Sequence, residues 1–113
     1  MAAAPEPGDV VPEEVRQELR DAIENDRHLF PRRILQGALD YARAHLGMDN
    51  PTIASLWDYI YERLGAPVEW RYAQLDDYPF QLGYALRNAD GRGLYLKVLC
   101  DDESRVVVMS FHD

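Results

Sequence analysis

Lysine is nearly absent from this chain: Lys97 is the only one in 113 residues. Cysteine is as scarce, with Cys100 alone. A single cysteine excludes an internal disulfide and a thiolate metal framework, and it suits a reducing cytoplasm. No apolar run approaches the roughly 20 residues that span a bilayer, so no membrane segment is expected. The opening "MAAAPEPGDVVPEE" lacks a basic region and a sustained apolar region, so it does not read as a signal peptide. Positive charge is short overall, with 12 Lys+Arg against 20 Asp+Glu and a formal net charge of −8. Nucleic-acid binders gain affinity by neutralising phosphates, which this balance disfavours. The same balance favours a basic partner, because opposite fields speed association. Arginine is nevertheless concentrated locally, with Arg27, Arg32 and Arg33 in "DRHLFPRR".

Apolar residues are plentiful. At 47% hydrophobic, the chain can build a core, and its length suits one domain. Residues 1–11 are rich in Ala, Pro and Gly and read as a flexible tail, leaving 12–113 as a single α+β domain. Three helices are expected over about 12–64. The first, "VPEEVRQELRDAIEND", has Pro12 at its start, acids at the positive end of its dipole, and a stripe of Val15, Leu19, Ala22 and Ile23. The second runs from Pro31 to Gly47. The third follows an Asn50 N-cap and ends at Gly65, with Ile53, Leu56, Trp57, Ile60 and Leu64 on one face.

After Pro67 the apolar period changes from about 3.6 to 2. Four strands are expected over about 68–112: "VEWRYAQL", "FQLGYALR", "GLYLKVLC" and "RVVVMSFH". The connections "DDYP", "NADGRG" and "DDES" are rich in turn formers. The expected architecture is three N-terminal helices packed on one face of a four-stranded antiparallel β-meander. The helices should cover Leu82, Leu96, Met109 and Phe111. The opposite face should then carry Gln81, Arg87, Tyr95, Lys97, Ser110 and His112. These residue types hold phosphates and move protons; they are also ordinary on a solvated sheet face.

The pattern "GLYLKV…VVVMSFH" resembles the C-terminal hairpin of the motility-quorum-sensing-regulator type of mRNA interferase toxin, within the RelE/barnase-like class of small endoribonucleases. The resemblance spans roughly residues 37–113, with a further echo in "LGMD" at Leu46–Asp49. It implies a helical N-terminal part followed by a sheet. It also implies catalytic positions at Gln81, Tyr95 and His112, the last standing where the family has a lysine. A further family lysine has no lysine here, and Arg71 or Arg63 would take its place. An antitoxin protein and mRNA are the partners that the resemblance implies, with no membrane and no cofactor or metal.

The chemistry of such a site needs one group to take the proton of the RNA 2′-hydroxyl and another to protonate the leaving 5′-oxygen. Cations stabilise the charge that builds on phosphorus. Histidine suits proton transfer, since it ordinarily titrates near about 6.5. Tyr95 would position the hydroxyl or donate a proton. Lys97, Arg87 and Arg71 would bind phosphate. Two functions therefore stand side by side: a cytoplasmic, metal-independent endoribonuclease of toxin–antitoxin type, or a non-catalytic acidic immunity- or antitoxin-like protein that binds a basic toxin or nuclease. In the second, Asp76, Asp77, Asp101, Asp102 and Glu103 would form the contact surface. A positive patch around Tyr95, Lys97 and Arg87 would favour the first, and continuous negative potential there the second.

Overall fold

The structure is a computed structural model and describes residues 4–76 and 81–113. Three helices come first: α1 (Glu13–Glu24), α2 (Arg32–His45) and α3 (Ile53–Gly65). Each starts beside a residue held extended. Pro12 and Pro31 lack the backbone N–H that a helix start would orphan. At α3 the N-cap is Thr52, not the expected Asn50. Thr52 Oγ1 accepts from Ser55 N–H (3.1 Å) and Thr52 N–H donates to Ser55 Oγ (2.7 Å). This reciprocal pair satisfies two otherwise orphaned groups, an option closed to Asn50, whose residue three positions on is the apolar Ile53. Gly47, in the left-handed region at φ +70°, turns the chain after α2. The Arg16 guanidinium donates to Leu64 O (2.9 Å) and Ala66 O (3.2 Å), closing the C-terminal end of α3.

The sheet has five strands, not four: β1 (His28–Leu29), β2 (Arg71–Gln74), β3 (Leu82–Leu86), β4 (Tyr95–Cys100) and β5 (Val106–His112). Their order is β1-β5-β4-β3-β2. The expected antiparallel meander is β2 to β5. The added strand, β1, lies parallel to β5 and makes the sheet mixed. Two residues carry no periodicity, so nothing local announces β1. Residues 8–11, placed in the tail on composition, run beside β2, with Gly8 N–H to Tyr72 O and Val11 N–H to Trp70 O, both 2.8 Å. Val11 is buried.

The inner face of the sheet and the helices share one apolar cluster, in which Leu19, Ala38, Leu56 and Ile60 meet Leu96, Val98, Val108 and Phe111. The α2 helix packs on β5, and α1 packs on α3. Phe111 sits among Phe30, Tyr41 and Tyr59, with ring centroids 6.2–6.4 Å away. Trp70 is fully enclosed and donates its indole N–H to Arg63 O (3.0 Å). Tyr72 packs on Tyr84 at the helix side of the sheet.

One strand departs from the expected phase. The ladder runs Tyr95↔His112, Leu96↔Phe111, Lys97↔Ser110, then shifts to Val98↔Val108 and Leu99↔Val107. Met109 is the extra residue of a β-bulge, which reverses the alternation. Val106 and Val108 therefore face the core with zero exposure, while Val107 lies on the outer face and Met109 is not a core residue.

Candidate functional site

The register decides what shares the outer face. Residues directly opposite in a ladder project to the same side. One row is Arg71, Ala85, Lys97 and Ser110, taken across β2, β3, β4 and β5. The adjacent row holds Tyr95 and His112, whose ring centroids are 5.9 Å apart. Arg87 follows Leu86, which pairs with Leu96, so it lies level with Tyr95. The bulge falls beyond these residues and leaves their pairing intact.

Arg71, Arg87, Tyr95 and Ala85 line a groove of about 590 Å³, closed on one side by Pro7 and Gly8. Ala73 and Ala85 are on its floor, and their small side chains leave the depth. Arg87 is exposed and Lys97 half-buried, and among the described residues neither is ion-paired. Arg71 is already engaged: it donates to Gly8 O and to Glu69 Oε2, each at 2.7 Å. Among the described residues, Glu69 is the one acid in the groove lining. His112 is exposed, with Nδ1 3.0 Å from Asp113 O. That is the contact a protonated Nδ1 makes as donor, and it leaves Nε2 to exchange a proton.

The tyrosine and its neighbours are held from behind. Tyr41 on α2 donates to Asp90 Oδ2 (2.5 Å), while Asp90 Oδ1 accepts from the N–H groups of Arg92 (2.8 Å) and Leu94 (3.1 Å). The β3–β4 connection is thereby fixed between Arg87 and Tyr95. Burial, then the bond to Asp90 and its charge, push the Tyr41 phenol up to about 12. Burial opposes the ionisation of Asp90, but the hydrogen bonds from Tyr41, Arg92 and Leu94 outweigh it and hold its carboxyl below the ordinary range.

Gln81 does not join this cluster. Extending the β3–β4 ladder puts it level with Asp101, six residues along β4 from Tyr95, or about 20 Å at ~3.4 Å per residue. Its side-chain amide donates to Cys100 O instead. The pairing direction of a meander places a residue at the start of β3 opposite the end of β4, and that excludes it from the Tyr95 end.

The acidic residues form a separate group. Asp101 binds the β4–β5 turn together, accepting from Glu103 N–H (3.0 Å), Arg105 N–H (2.9 Å) and the Arg105 guanidinium (2.8 Å). Burial opposes its ionisation, but these bonds prevail and hold its carboxyl below the usual range. Asp102 and Glu103 are exposed in the same turn, and Asp76 is exposed at the end of β2. Asp77 lies outside the described residues, as does Phe80. Burial, then the Asp101 charge, push the Cys100 thiol up, away from nucleophilic thiolate. Among the described residues no group of three His, Cys, Asp or Glu side chains is placed to hold a metal ion. No helix among them is long and apolar enough to cross a membrane.

The sequence reading missed two parts of this arrangement, the groove wall at Pro7–Gly8 and the Tyr41–Asp90 brace. Both rest on contacts between distant segments. The isolated Asp90 in "NADGRG", a turn acid with two N–H groups close behind it, was the only local hint. Comparison with protein-family models, with curated proteins and with solved structures gives no match to this chain.

Proposed function

We propose that this protein is a metal-independent endoribonuclease of toxin-like type, acting on single-stranded mRNA in the cytoplasm at the outer face of its sheet. The observation that carries this reading is the juxtaposition of His112 and Tyr95 as a direct cross-strand pair, flanked by Arg87 and Lys97. The helices take one face of the sheet, and on the other Arg87 and His112 are exposed beside Tyr95. The cationic patch around Tyr95 is the feature that favours a nuclease over an acidic inhibitor.

In the proposed reaction His112 accepts the 2′-hydroxyl proton. The 2′-oxygen forms a bond to the adjacent phosphorus as the P–O5′ bond breaks. Tyr95 gives its proton to the departing 5′-oxygen. Arg87 and Lys97 hold the non-bridging oxygens, where charge grows in the transition state. The products are a 2′,3′-cyclic phosphate and a 5′-hydroxyl end, so atoms and charge balance without a co-reactant. Arg71 and the groove beside it would hold the neighbouring nucleotide. Gln81 has no part in this chemistry. The test is growth arrest on induced expression in bacteria. Arrest by the wild type, abolished by His112→Ala and by Tyr95→Phe with the fold intact, is the expected outcome. Equal toxicity of both variants would remove the site from consideration.

A further inference from the structure

The other end of the same sheet face has a different character. Leu29, on the outermost strand, is 43% exposed. It pairs with Val107, which pairs with Leu99, so the three form an apolar row across β1, β5 and β4 on the outer face. Val107 is half-buried and Leu99 buried, and the three line a groove of about 380 Å³ together with Asp101, Asp102, Glu103 and Arg105. In this turn three carboxylates stand against one guanidinium, and Arg105 is spent mainly on Asp101 (2.8 Å), with Glu103 at 3.4 Å. The rim of the apolar row is therefore negative. An exposed leucine and a half-buried valine beside a turn whose three carboxylates share one guanidinium make a surface complementary to a basic segment.

We infer that this end of the outer face is a docking site for a protein segment that presents an aliphatic side chain flanked by lysine or arginine. The aliphatic group would seat on Leu29 and Val107, with Leu99 buried beneath, and the flanking cations would meet Asp102 and Glu103. The apolar row lies four residues along β4 from Tyr95, about 14 Å at ~3.4 Å per residue, and does not rest on the ribonuclease reading. A partner of nucleic acid would be repelled from it.

The test uses the full chain, labelled with ¹⁵N, and a short synthetic peptide of alternating leucine and lysine. The amide signals of Leu29, Leu99, Asp102, Glu103 and Val107 should shift together and saturate. A serine–lysine peptide of equal charge should bind at least about tenfold more weakly, since covering an aliphatic side chain contributes at least ~1.4 kcal/mol. Leu29→Ser, at an exposed position that the core does not need, should weaken the leucine–lysine peptide by a similar factor. The double reversal Asp102→Lys, Glu103→Lys should do the same and remove the dependence on salt. Equal affinity of the two peptides, shifts confined to another surface, no binding, or indifference to Leu29→Ser would each overturn the inference.

Discussion

Replacing Tyr41 by Phe removes one hydroxyl and tests the brace behind the candidate site. Tyr41 is 8% exposed and its bond to Asp90 is 2.5 Å long. A hydrogen bond to a charged acceptor contributes about 1.5–3 kcal/mol, so the variant should lose ~2 kcal/mol at neutral pH. Burial first, then the bond to Asp90 and its charge, raise the phenol from an ordinary 10.0 to about 12. The sign follows from linkage: a group raised in the folded state stabilises fully below its unfolded value and loses that contribution as pH rises through the folded one. The wild-type advantage should therefore be complete below pH 10 and disappear between pH 10 and about 12. Urea unfolding of both proteins across this range measures it. The other tyrosines are common to both and cancel in the difference. A wild-type advantage under about 0.5 kcal/mol at pH 7, or one that persists unchanged to pH 12, would refute the brace.

Three further outcomes follow from the geometry. Thr52→Ala should cost about 1 kcal/mol in thermal or urea unfolding while Asn50→Ala changes little, because the cap is Thr52. At Gly83 an added Cβ would lie 2.8 Å from Leu75 Cδ2 and 2.9 Å from Val98 O, so Gly83→Ala should destabilise by about 1–3 kcal/mol in the same assay. In an RNA cleavage assay, Gln81→Ala should keep activity within about twofold, whereas Tyr95→Phe should lose about a hundredfold or more, the range of general acid–base catalysis.

The helices were legible because their signals are local. Leu19, Ala22 and Ile23, and Leu56, Trp57, Ile60 and Leu64, are buried at the spacing their stripes predict. Val15 is half-buried and Ile53 is 45% exposed, because each sits in the first turn of its helix, at the rim of the packing. The phases of β3 and β4 were legible too, and with them the placing of Tyr95 and Lys97 on the outer face, although not the direct pairing of Tyr95 with His112. What failed was non-local. The phase of β5 depends on a bulge at Met109, and "RVVVMS" alternates so weakly that either row of valines can face the core. The parallel pairing of β1 joins residues nearly eighty positions apart and leaves no mark on "HL" itself. Gln81 was misplaced because a row read along a strand says which face a residue takes, not which end of the sheet it occupies.

The most direct measurement is cleavage of a single-stranded RNA by purified wild-type protein in excess EDTA, with a matched RNA lacking one 2′-hydroxyl at the cleaved step. The account predicts cleavage of the first RNA to a 2′,3′-cyclic phosphate, no cleavage of the second at that step, and no activity from His112→Ala. Inert wild-type protein, or equal activity from wild type and His112→Ala, would contradict it.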